Sequence, residues 1–383
     1  MKMSGSFTTS FMFSSLVLSM NAMASDANNQ EGVVGVKINQ NQVQAYWTAE
    51  RLRSAKELPM PIANVNTTKK ALSTNNESSV SGDGALPVVT DVTGQQLFNT
   101  NESDDEHPGK DLPIPNFSED KRIPNDVGTY NKYFSSSRLV PITADTSYPY
   151  STVGKLFFTI PGQGNFVCSA SVIRPRVVVT AGHCTHKGSG GSEGFYTNFY
   201  FVPAYRDGTA PFQGWYPNYV MTTAAWSVGN GSVPNEADYS MFQVSDNYIN
   251  GAYTKIGSVT GYLGYQTQAL ASNHATILGY PCNLDSCSKM HQVNAGNGDS
   301  VSPNNVEYGS DMGGGSSGGP WIQNFGAAAV GQTGGLNPGL NRIIGITSYG
   351  YISTDPKVQG SAIPDSRFIS ILNTICGRQT GNC

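Results

Sequence analysis

The sequence predicts an all-β protein, and three observations support that class. Only 13% of the 383 residues are charged whereas 43 are glycine, a composition that suits strands joined by many turns. Short runs rich in β-branched and aromatic residues alternate with Gly, Pro and Asn clusters. These runs are 154–160, 167–173, 176–180, 195–202, 241–244, 275–279 and 343–348. Only 366–375 has helical spacing, so a barrel or sandwich with one terminal helix is favoured.

The N-terminus has the three parts of a secretory signal peptide. Lys2 supplies a positive charge, residues 7–17 are mostly apolar, and Ala-Met-Ala at 22–24 is a small-x-small cleavage site. The apolar run is shorter than the roughly 20 residues that a membrane-spanning helix needs, which disfavours a permanent anchor. We therefore expect residues 1–24 to be removed on export and the protein to be secreted or periplasmic.

Residues 25–138 differ in composition from the C-terminal part of the chain. Residues 1–138 hold 27 Asp, Glu, Lys and Arg side chains, whereas the much longer segment 139–383 holds 23. The first part also contains polar tracts that bury too little apolar surface to fold alone. We interpret 25–138 as a propeptide that ends at Arg138, with a disordered linker or a permanent extension as alternatives. Residues 139–383 then form the main folded domain.

Six cysteines occur, all in the last two-thirds of the chain. An even number in an exported protein favours disulfides over free thiols, and the spacings do not resemble a zinc site. Six cysteines allow fifteen connectivities. Local spacing favours the pairs Cys168–Cys184, Cys282–Cys287 and Cys376–Cys383.

A glycine-rich run at 313–320, Gly-Gly-Gly-Ser-Ser-Gly-Gly-Pro, suggests a nucleophile. A serine hydroxyl needs a base to attack a carbonyl, and the developing oxyanion needs convergent N–H donors. Glycines let the chain curl tightly enough for two amides to point at one place. We therefore expect Ser317 to be the nucleophile and the N–H groups of Gly315 and Ser317 to form the oxyanion hole. The alternative is a flexible Gly-Ser loop.

His183 is the candidate general base. It follows the apolar run 177–179 and stands beside Cys184, whose disulfide could hold the turn in place. A general base must keep its position to within a fraction of an ångström, so an adjacent cross-link suits that role. The alternative is a surface histidine beside a structural disulfide. His186 has no such framing, and we expect it to be exposed to solvent.

Asp238 is the candidate that orients the base. It directly precedes a mostly apolar strand, unlike Asp207 and Asp246. A buried carboxylate there could accept the second imidazole N–H and stabilise the imidazolium. Glu236, two residues earlier, is expected to face solvent.

Residues 168–184 and 315–320, with the order His183, Asp238, Ser317, resemble the signatures of the chymotrypsin-like serine protease family. The resemblance covers about 139–383. It implies two antiparallel six-stranded β-barrels with the three residues in the cleft between them. It also implies endopeptidase activity through an acyl-enzyme on Ser317.

Finer features resemble the bacterial, glutamyl-endopeptidase-like branch of that family. Tyr280-Pro281 and the turn around Ser317 are similar to that branch. Ser316 stands where animal trypsin-like enzymes carry the Asp that receives the new N-terminus, so that activation switch is not expected. Thr347 stands where a glutamate-specific enzyme is expected to carry His.

Five residues are candidates for substrate binding. Asp311 stands six residues before Ser317, where trypsin-like members carry the Asp that pairs with Lys or Arg. A buried carboxylate without a partner strongly favours a cationic substrate. Glutamyl or another specificity is the alternative, since Met312 departs from the trypsin pattern. The backbone of Ser348, Tyr349 and Gly350 is expected to pair with an extended substrate.

The remaining expectations concern ligands and partners. No metal or cofactor is implied by the sequence, and the net charge of −4 gives no reason to expect nucleic acid. Substrates are expected to be proteins or peptides, with no membrane span after signal removal and a monomeric state. The competing hypothesis is a catalytically silent protease-like binding protein. An esterase is disfavoured because the serine comes last of the three residues.

Overall fold

The computed structural model describes residues 32–63, 77–99, 132–296, 298–326, 336–351 and 357–383. The predicted signal peptide, 1–24, lies outside the described residues, as do parts of the predicted propeptide. Within the described part of the chain the structure is mostly β, as the sequence predicts.

The strands fall into three groups along the chain. The N-terminal extension contributes β1 (Val33–Lys37), β2 (Lys56–Glu57), β3 (Ser81–Gly82), β4 (Gln95–Gln96) and β5 (Phe134–Arg138). The next group is β6 (Val153–Ile160), β7 (Gly164–Arg174), β8 (Val177–Thr180), β9 (Thr197–Pro203), β10 (Thr209–Ala210), β11 (Pro217–Thr223) and β12 (Ser240–Val244). The last group is β13 (Asn247–Ile249), β14 (Ala252–Thr254), β15 (Gly264–Gln266), β16 (His274–Gly279), β17 (His291–Gly296), β18 (Asp299–Val301), β19 (Asn305–Gly309), β20 (Pro320–Gln323), β21 (Arg342–Ile346) and β22 (Val358–Ala362).

The first large sheet follows the order β1-β11-β12-β8-β7-β6-β9, with β2 paired to β7. Six of its eight strands come from residues 139–383, which agrees with the predicted first barrel. Its strands read as nearly continuous buried runs, for example Val153–Ile160, rather than as alternating ones. Such runs occur where both faces of a sheet are covered.

The second large sheet follows the order β3-β15-β21-β20-β16-β17-β5. A three-stranded sheet, β18-β19-β22, lies beside it, and a bridge between Tyr349 and Gly360 connects the two. The sheet buries its own apolar cluster, which includes Ile277, Trp321 and Ile344. Two sheets with separate cores are the two halves of the predicted double-barrel fold.

Helices are few and short in the described residues. They are α1 (Gln40–Tyr46), α2 (Ala49–Arg53), α3 (Ile142–Asp145), α4 (Ala224–Ser227), α5 (Ile256–Thr260) and α6 (Ser366–Gly377). The predicted terminal helix is α6, which Asp365 caps by accepting a hydrogen bond from Arg367 N. Phe368, Leu372 and Ile375 are buried along one face of it. None of the helices in the described part of the chain is long and apolar enough to cross a membrane.

The N-terminal extension packs on both sheets instead of forming a unit of its own. Its strands lengthen the sheets at their edges: β1 pairs with β11, and β5 pairs with β17. Trp47, after α1, donates its indole N–H to Asn198 O and packs against Phe157 in the first core. Because these edges are paired, the extension covers backbone groups that would otherwise be open to another strand.

Candidate active site

The turn that carries His183 is held by its neighbours on two strands. Strand β8 ends at Thr180, and a 3₁₀ turn, Gly182–Cys184, delivers His183. Cys184 is joined to Cys168 on β7, which pairs with β8. The turn therefore has a covalent link one residue from the imidazole, as the sequence predicts.

Asp238 lies next to His183 because β8 and β12 are antiparallel neighbours. Thr180 pairs with Ser240, so the residue before β12 lies beside the residue after β8. Oδ1 of Asp238 accepts a hydrogen bond from His183 N at 2.7 Å, and Oδ2 lies 2.8 Å from His183 Nδ1. Ser348 Oγ also donates to Oδ2, at 2.5 Å. The carboxylate is 1% exposed, and these three contacts compensate for its burial.

Ser317 lies in a turn that needs glycine on both sides. Gly315 and Gly318 have φ angles of +89° and +81°, which favour glycine. Ser317 O accepts a hydrogen bond from Ser169 N at 2.7 Å, which fixes the turn against β7. Among the described residues, neither Ser317 Oγ nor His183 Nε2 has a hydrogen-bond partner, although both atoms are buried. Burying two polar atoms without hydrogen bonds, at the predicted nucleophile and base, costs free energy unless a reacting group supplies the missing partners.

The predicted oxyanion turn is braced by a second disulfide. A Cβ on Gly315 would lie 2.8 Å from Cys282 Sγ and 2.5 Å from Tyr280 O, so only glycine fits there. Cys282 is joined to Cys287, and Cys282 N donates to Gly314 O at 2.8 Å. Cys376–Cys383 is the third bridge, so the structure contains all three predicted pairs.

The chain is similar to two bacterial proteases over 37% of its length. No protein-family model matches the chain. It is 29% identical over 143 residues to the glutamyl endopeptidase of Bacillus licheniformis, covering 37% of this chain and 39% of that protein. It is 25% identical over 146 residues to an extracellular metalloprotease of Bacillus subtilis, covering 37% and 42%. The chain thus spans about two-fifths of the length of these curated relatives.

A solved structure decides the fold. The thermostable serine protease AL20 from an extremophilic microorganism matches with a TM-score of 0.50 and 26% identity, over 62% of this chain and 100% of that one. The chain has the fold of the chymotrypsin-like serine proteases. In that fold the two sheets are the two barrels. His183 follows β8 and Asp238 precedes β12 in the first sheet, and Ser317 precedes β20 in the second.

The chymotrypsin-like site offers no cluster of metal ligands beside its histidine in the described residues. Cys168, Cys184 and His183 lie within 4.8 Å of one another. The two cysteines are joined to each other, so neither supplies a thiolate, which is the form of cysteine that binds metals. These three side chains therefore do not form a metal site of the kind that the name of the Bacillus subtilis relative, an extracellular metalloprotease, describes.

Asp311 and Met312 lie in the loop that leads to Ser317. Asp311 Oδ1 is buried and has no hydrogen-bond partner among the described residues. Asn283, which no sequence pattern singles out, braces this loop by donating to Asp311 O and accepting from Gly313 N. Met312 is 4% exposed, so its side chain belongs to the core and only its backbone is available to the site.

Gln359 on β22 is a site residue that sequence reasoning missed. Its amide nitrogen donates to Met312 O at 2.8 Å and to Ser316 Oγ at 2.9 Å. Its amide oxygen accepts from Ser310 Oγ at 2.8 Å. Nothing local marks a glutamine inside a strand as functional, since its partners are more than 40 residues away in the sequence. It becomes visible only when β22 is placed beside β19.

The segment Ser348-Tyr349-Gly350 contributes mainly backbone to the cleft. Ser348 directs its hydroxyl to Asp238, and the Tyr349 ring is fully buried with its hydroxyl donating to Glu307. Burial raises the pKa of Glu307, while hydrogen bonds from Tyr351 and Tyr349 oppose that rise. Gly350, which has no side chain, offers only its N–H and C=O.

The acidic residues and the histidine that the sequence analysis did not choose for the catalytic triad make other contacts. Asp246 pairs with Arg176, and Asp207 with Lys289. Glu236 is partly exposed and pairs with Arg367. The expectation that His186 is exposed is wrong: it is fully buried, with Nε2 2.6 Å from Gly191 O. It is buried because it anchors the loop after the His183 turn, where its Nδ1 accepts from Gly188 N.

Proposed function

We propose that this protein is a secreted serine endopeptidase that hydrolyses peptide bonds through an acyl-enzyme on Ser317. The observation that carries the proposal is the arrangement around His183. Its Nδ1 is fixed by a buried carboxylate, and its Nε2 and the Ser317 hydroxyl are left without partners in the described residues. An imidazole held in one orientation with a free nitrogen is suited to take a proton from a serine hydroxyl that comes within hydrogen-bond distance.

The proposed reaction proceeds in two halves. His183 Nε2 takes the proton from Ser317 Oγ as the oxygen attacks the substrate carbonyl. The N–H groups of Gly315 and Ser317 stabilise the resulting oxyanion, and Asp238 stabilises the imidazolium. His183 then gives the proton to the leaving amine, which departs and leaves the acyl-enzyme. A water molecule, deprotonated by His183, hydrolyses the ester and restores Ser317.

We further propose that Asp311 gives a preference for Lys or Arg before the scissile bond. A buried carboxylate oxygen without a partner is completed by a cationic side chain. The similarity to a glutamyl endopeptidase supports the alternative of a glutamyl preference. Against that alternative, the Thr347 hydroxyl accepts a hydrogen bond from Trp321 Nε1 at 2.9 Å and is fully buried. A threonine there offers a neutral hydroxyl and no imidazolium charge to pair with a substrate carboxylate.

The proposed processing rests on the sequence. Residues 1–24 are a signal peptide, 25–138 a propeptide, and 139–383 the chymotrypsin-like domain, which acts outside the cell or in the periplasm. Arg138 ends strand β5, and its guanidinium pairs with Asp285. Cleavage after Arg138 therefore requires β5 to leave its partner β17 first.

The test is labelling of the exported, processed protein with a fluorophosphonate probe, with N-terminal sequencing of the labelled band. We expect labelling that disappears in Ser317→Ala. Ser171 is a matched control, because its hydroxyl is also buried without a partner in the described residues. Ser171→Ala should label at the wild-type rate. A processed protein that does not label would overturn the peptidase proposal in favour of a silent binding protein.

A further inference from the structure

Residues 56–63 of the N-terminal extension lie across the proposed catalytic cleft. On one side, β2 pairs in parallel with Phe166 and Val167. Leu58 N then donates to Val167 O at 3.2 Å. Val167 precedes Cys168, whose disulfide holds the His183 turn, so this end of the segment is fixed on the histidine side of the site.

On the other side of the cleft, the same segment pairs with the strand proposed to bind substrate. Gly350 N donates to Pro61 O at 3.0 Å, and Ala63 N donates to Gly350 O at 3.1 Å. This pairing uses only the carbonyl of Pro61, so the missing N–H of proline costs nothing. The backbone groups of Gly350 that a substrate would use are therefore already occupied.

Met60, between these two anchors, lies beside a residue that braces the nucleophile turn. Its sulfur lies 3.7 Å from Gln359 Nε2, the amide that also binds Met312 O and Ser316 Oγ. A Cβ on Gly350 would lie 2.7 Å from that sulfur, so glycine at 350 is what admits the side chain. An uncharged, flexible side chain of the same chain thus lies against Gln359, which also binds the loop residue Met312.

The segment runs past the nucleophile turn, but none of its peptide bonds is positioned for attack by Ser317. Leu58 O lies 2.9 Å from where a Cβ on Gly314 would be, so the segment runs against the oxyanion turn. No backbone carbonyl in the described residues, including those of 56–63, accepts a hydrogen bond from the N–H of Gly315 or Ser317. Ser317 is fully buried and His183 is 6% exposed. A cleft occupied in this way is blocked, while the blocking chain is not positioned for attack.

We propose that residues 56–63 are an intramolecular inhibitor, which occupies the substrate strand through Pro61 and Ala63 and lies against Gln359 through Met60. This inference rests on the proposed peptidase function. It identifies the ligand of the cleft before maturation as the chain's own Lys-Glu-Leu-Pro-Met-Pro-Ile-Ala segment. The folded part before it, with β1 paired to β11, keeps the segment at a high local concentration.

The experiment compares labelling rates of the uncleaved chain with a fluorophosphonate, counting only the band that retains the extension. Met60→Asp places a charge against Gln359, and Ala63→Pro removes the N–H that binds Gly350. We expect each to label at least tenfold faster than wild type. Val88→Asp is the matched control, since Val88 lies in the same extension with its side chain 77% exposed. It should label at the wild-type rate.

A synthetic peptide of residues 56–63 provides the second measurement. Added in trans at about millimolar concentration, it should slow labelling of the uncleaved Met60→Asp chain and remain uncut by mass spectrometry. A peptide of scrambled order should have no effect. If wild type, Met60→Asp and Ala63→Pro all label at one rate, the inhibitor proposal is wrong and the peptidase proposal stands. If neither these chains nor the processed protein labels, the peptidase proposal fails and the inhibitor proposal with it.

Discussion

The two sides of the candidate site differ in how completely their polar atoms are used. On the Asp238 side, both carboxylate oxygens have partners: His183 twice, and Ser348. On the Ser317 side, the hydroxyl of Ser317 and Oδ1 of Asp311 have none among the described residues, although both are buried. The protein therefore supplies every hydrogen bond that the orienting carboxylate needs. The hydroxyl and the carboxylate oxygen on the reacting side still need partners from a bound group.

This difference separates two kinds of contribution to activity. Changes on the Asp238 side should disturb the protonation and direction of the base, and so lower kcat for every substrate. Changes on the Asp311 side should alter which substrates are accepted. The proposed inhibitor segment is anchored on both sides of the cleft, and its contacts with Gly314 and Gln359 lie on the Ser317 side.

The largest effect is expected for Asp238→Asn. The amide can present an N–H to His183 Nδ1 and so favour the tautomer that cannot take the serine proton, which lowers kcat by about 10⁴-fold. The measurement is steady-state hydrolysis of a peptide substrate. Asp246→Asn is the control, because that carboxylate pairs with Arg176 away from the site and should leave kcat unchanged. Equal kcat values for both variants would contradict the assignment of Asp238.

A smaller and more selective effect is expected for Asp311→Asn. Loss of the charge should lower kcat/KM for substrates with Lys or Arg before the scissile bond by about 100-fold, which corresponds to about 2.7 kcal/mol. Substrates with uncharged residues there should be nearly unaffected. The ratio of the two kcat/KM values checks this, and an unchanged ratio would assign specificity to other residues.

Ser348→Ala tests whether the hydrogen bond from Ser348 to the Asp238 carboxylate contributes to catalysis. The substitution removes one of three hydrogen bonds to a buried carboxylate, a loss of about 1.5 kcal/mol that should lower kcat by about tenfold. KM should change little, because the backbone of residue 348 remains. A variant that changed KM alone would indicate that the hydroxyl contacts substrate instead.

The smallest effect on activity is expected for Asp285→Asn. Asp285 also has both carboxylate oxygens paired, with Arg138 and His291, but none of these residues belongs to the proposed catalytic triad. Burial raises its pKa, yet the hydrogen bonds from His291 and Arg138 outweigh this and lower the pKa to about 2. We expect kcat in the Asn variant to stay within twofold of wild type.

The same variant should change the response of stability to acid. A depressed carboxyl pKa contributes stability that is present above the unfolded value of about 4 and is lost as the pH falls toward 2. In the uncleaved chain, which retains Arg138, the free energy of unfolding of Asp285→Asn should therefore fall less than that of wild type between pH 4 and pH 2. Denaturant titrations at several pH values measure this, and parallel declines would contradict the pairing.

Much of the β structure could be predicted from local patterns. Runs such as 154–160 and 275–279 correspond to β6 and β16, and the terminal helix corresponds to α6. The residues of the candidate site were also recognisable, because a glycine-rich turn and a histidine beside a cysteine are local signals. Bonding between cysteines close in sequence could be predicted for the same reason.

Features that depend on distant pairing could not be predicted in this way. Gln359 reaches the site only because β22 pairs with β19, and Met60 only because β2 pairs with β7. The two-residue strands of the extension are too short to show any periodicity. His186 was misjudged because its partners, Gly191 O and Gly188 N, belong to a loop whose path the sequence does not reveal.

The disulfide between Cys168 and Cys184 has a consequence for where the protein can work. It closes a loop with a sequence separation of 16, which by a chain-entropy estimate stabilises the fold by about 3 kcal/mol. In a reducing compartment that contribution is absent, and the turn carrying His183 loses its tether to β7. Under the proposed export, the turn that carries His183 therefore gains this tether only once the chain reaches an oxidising compartment.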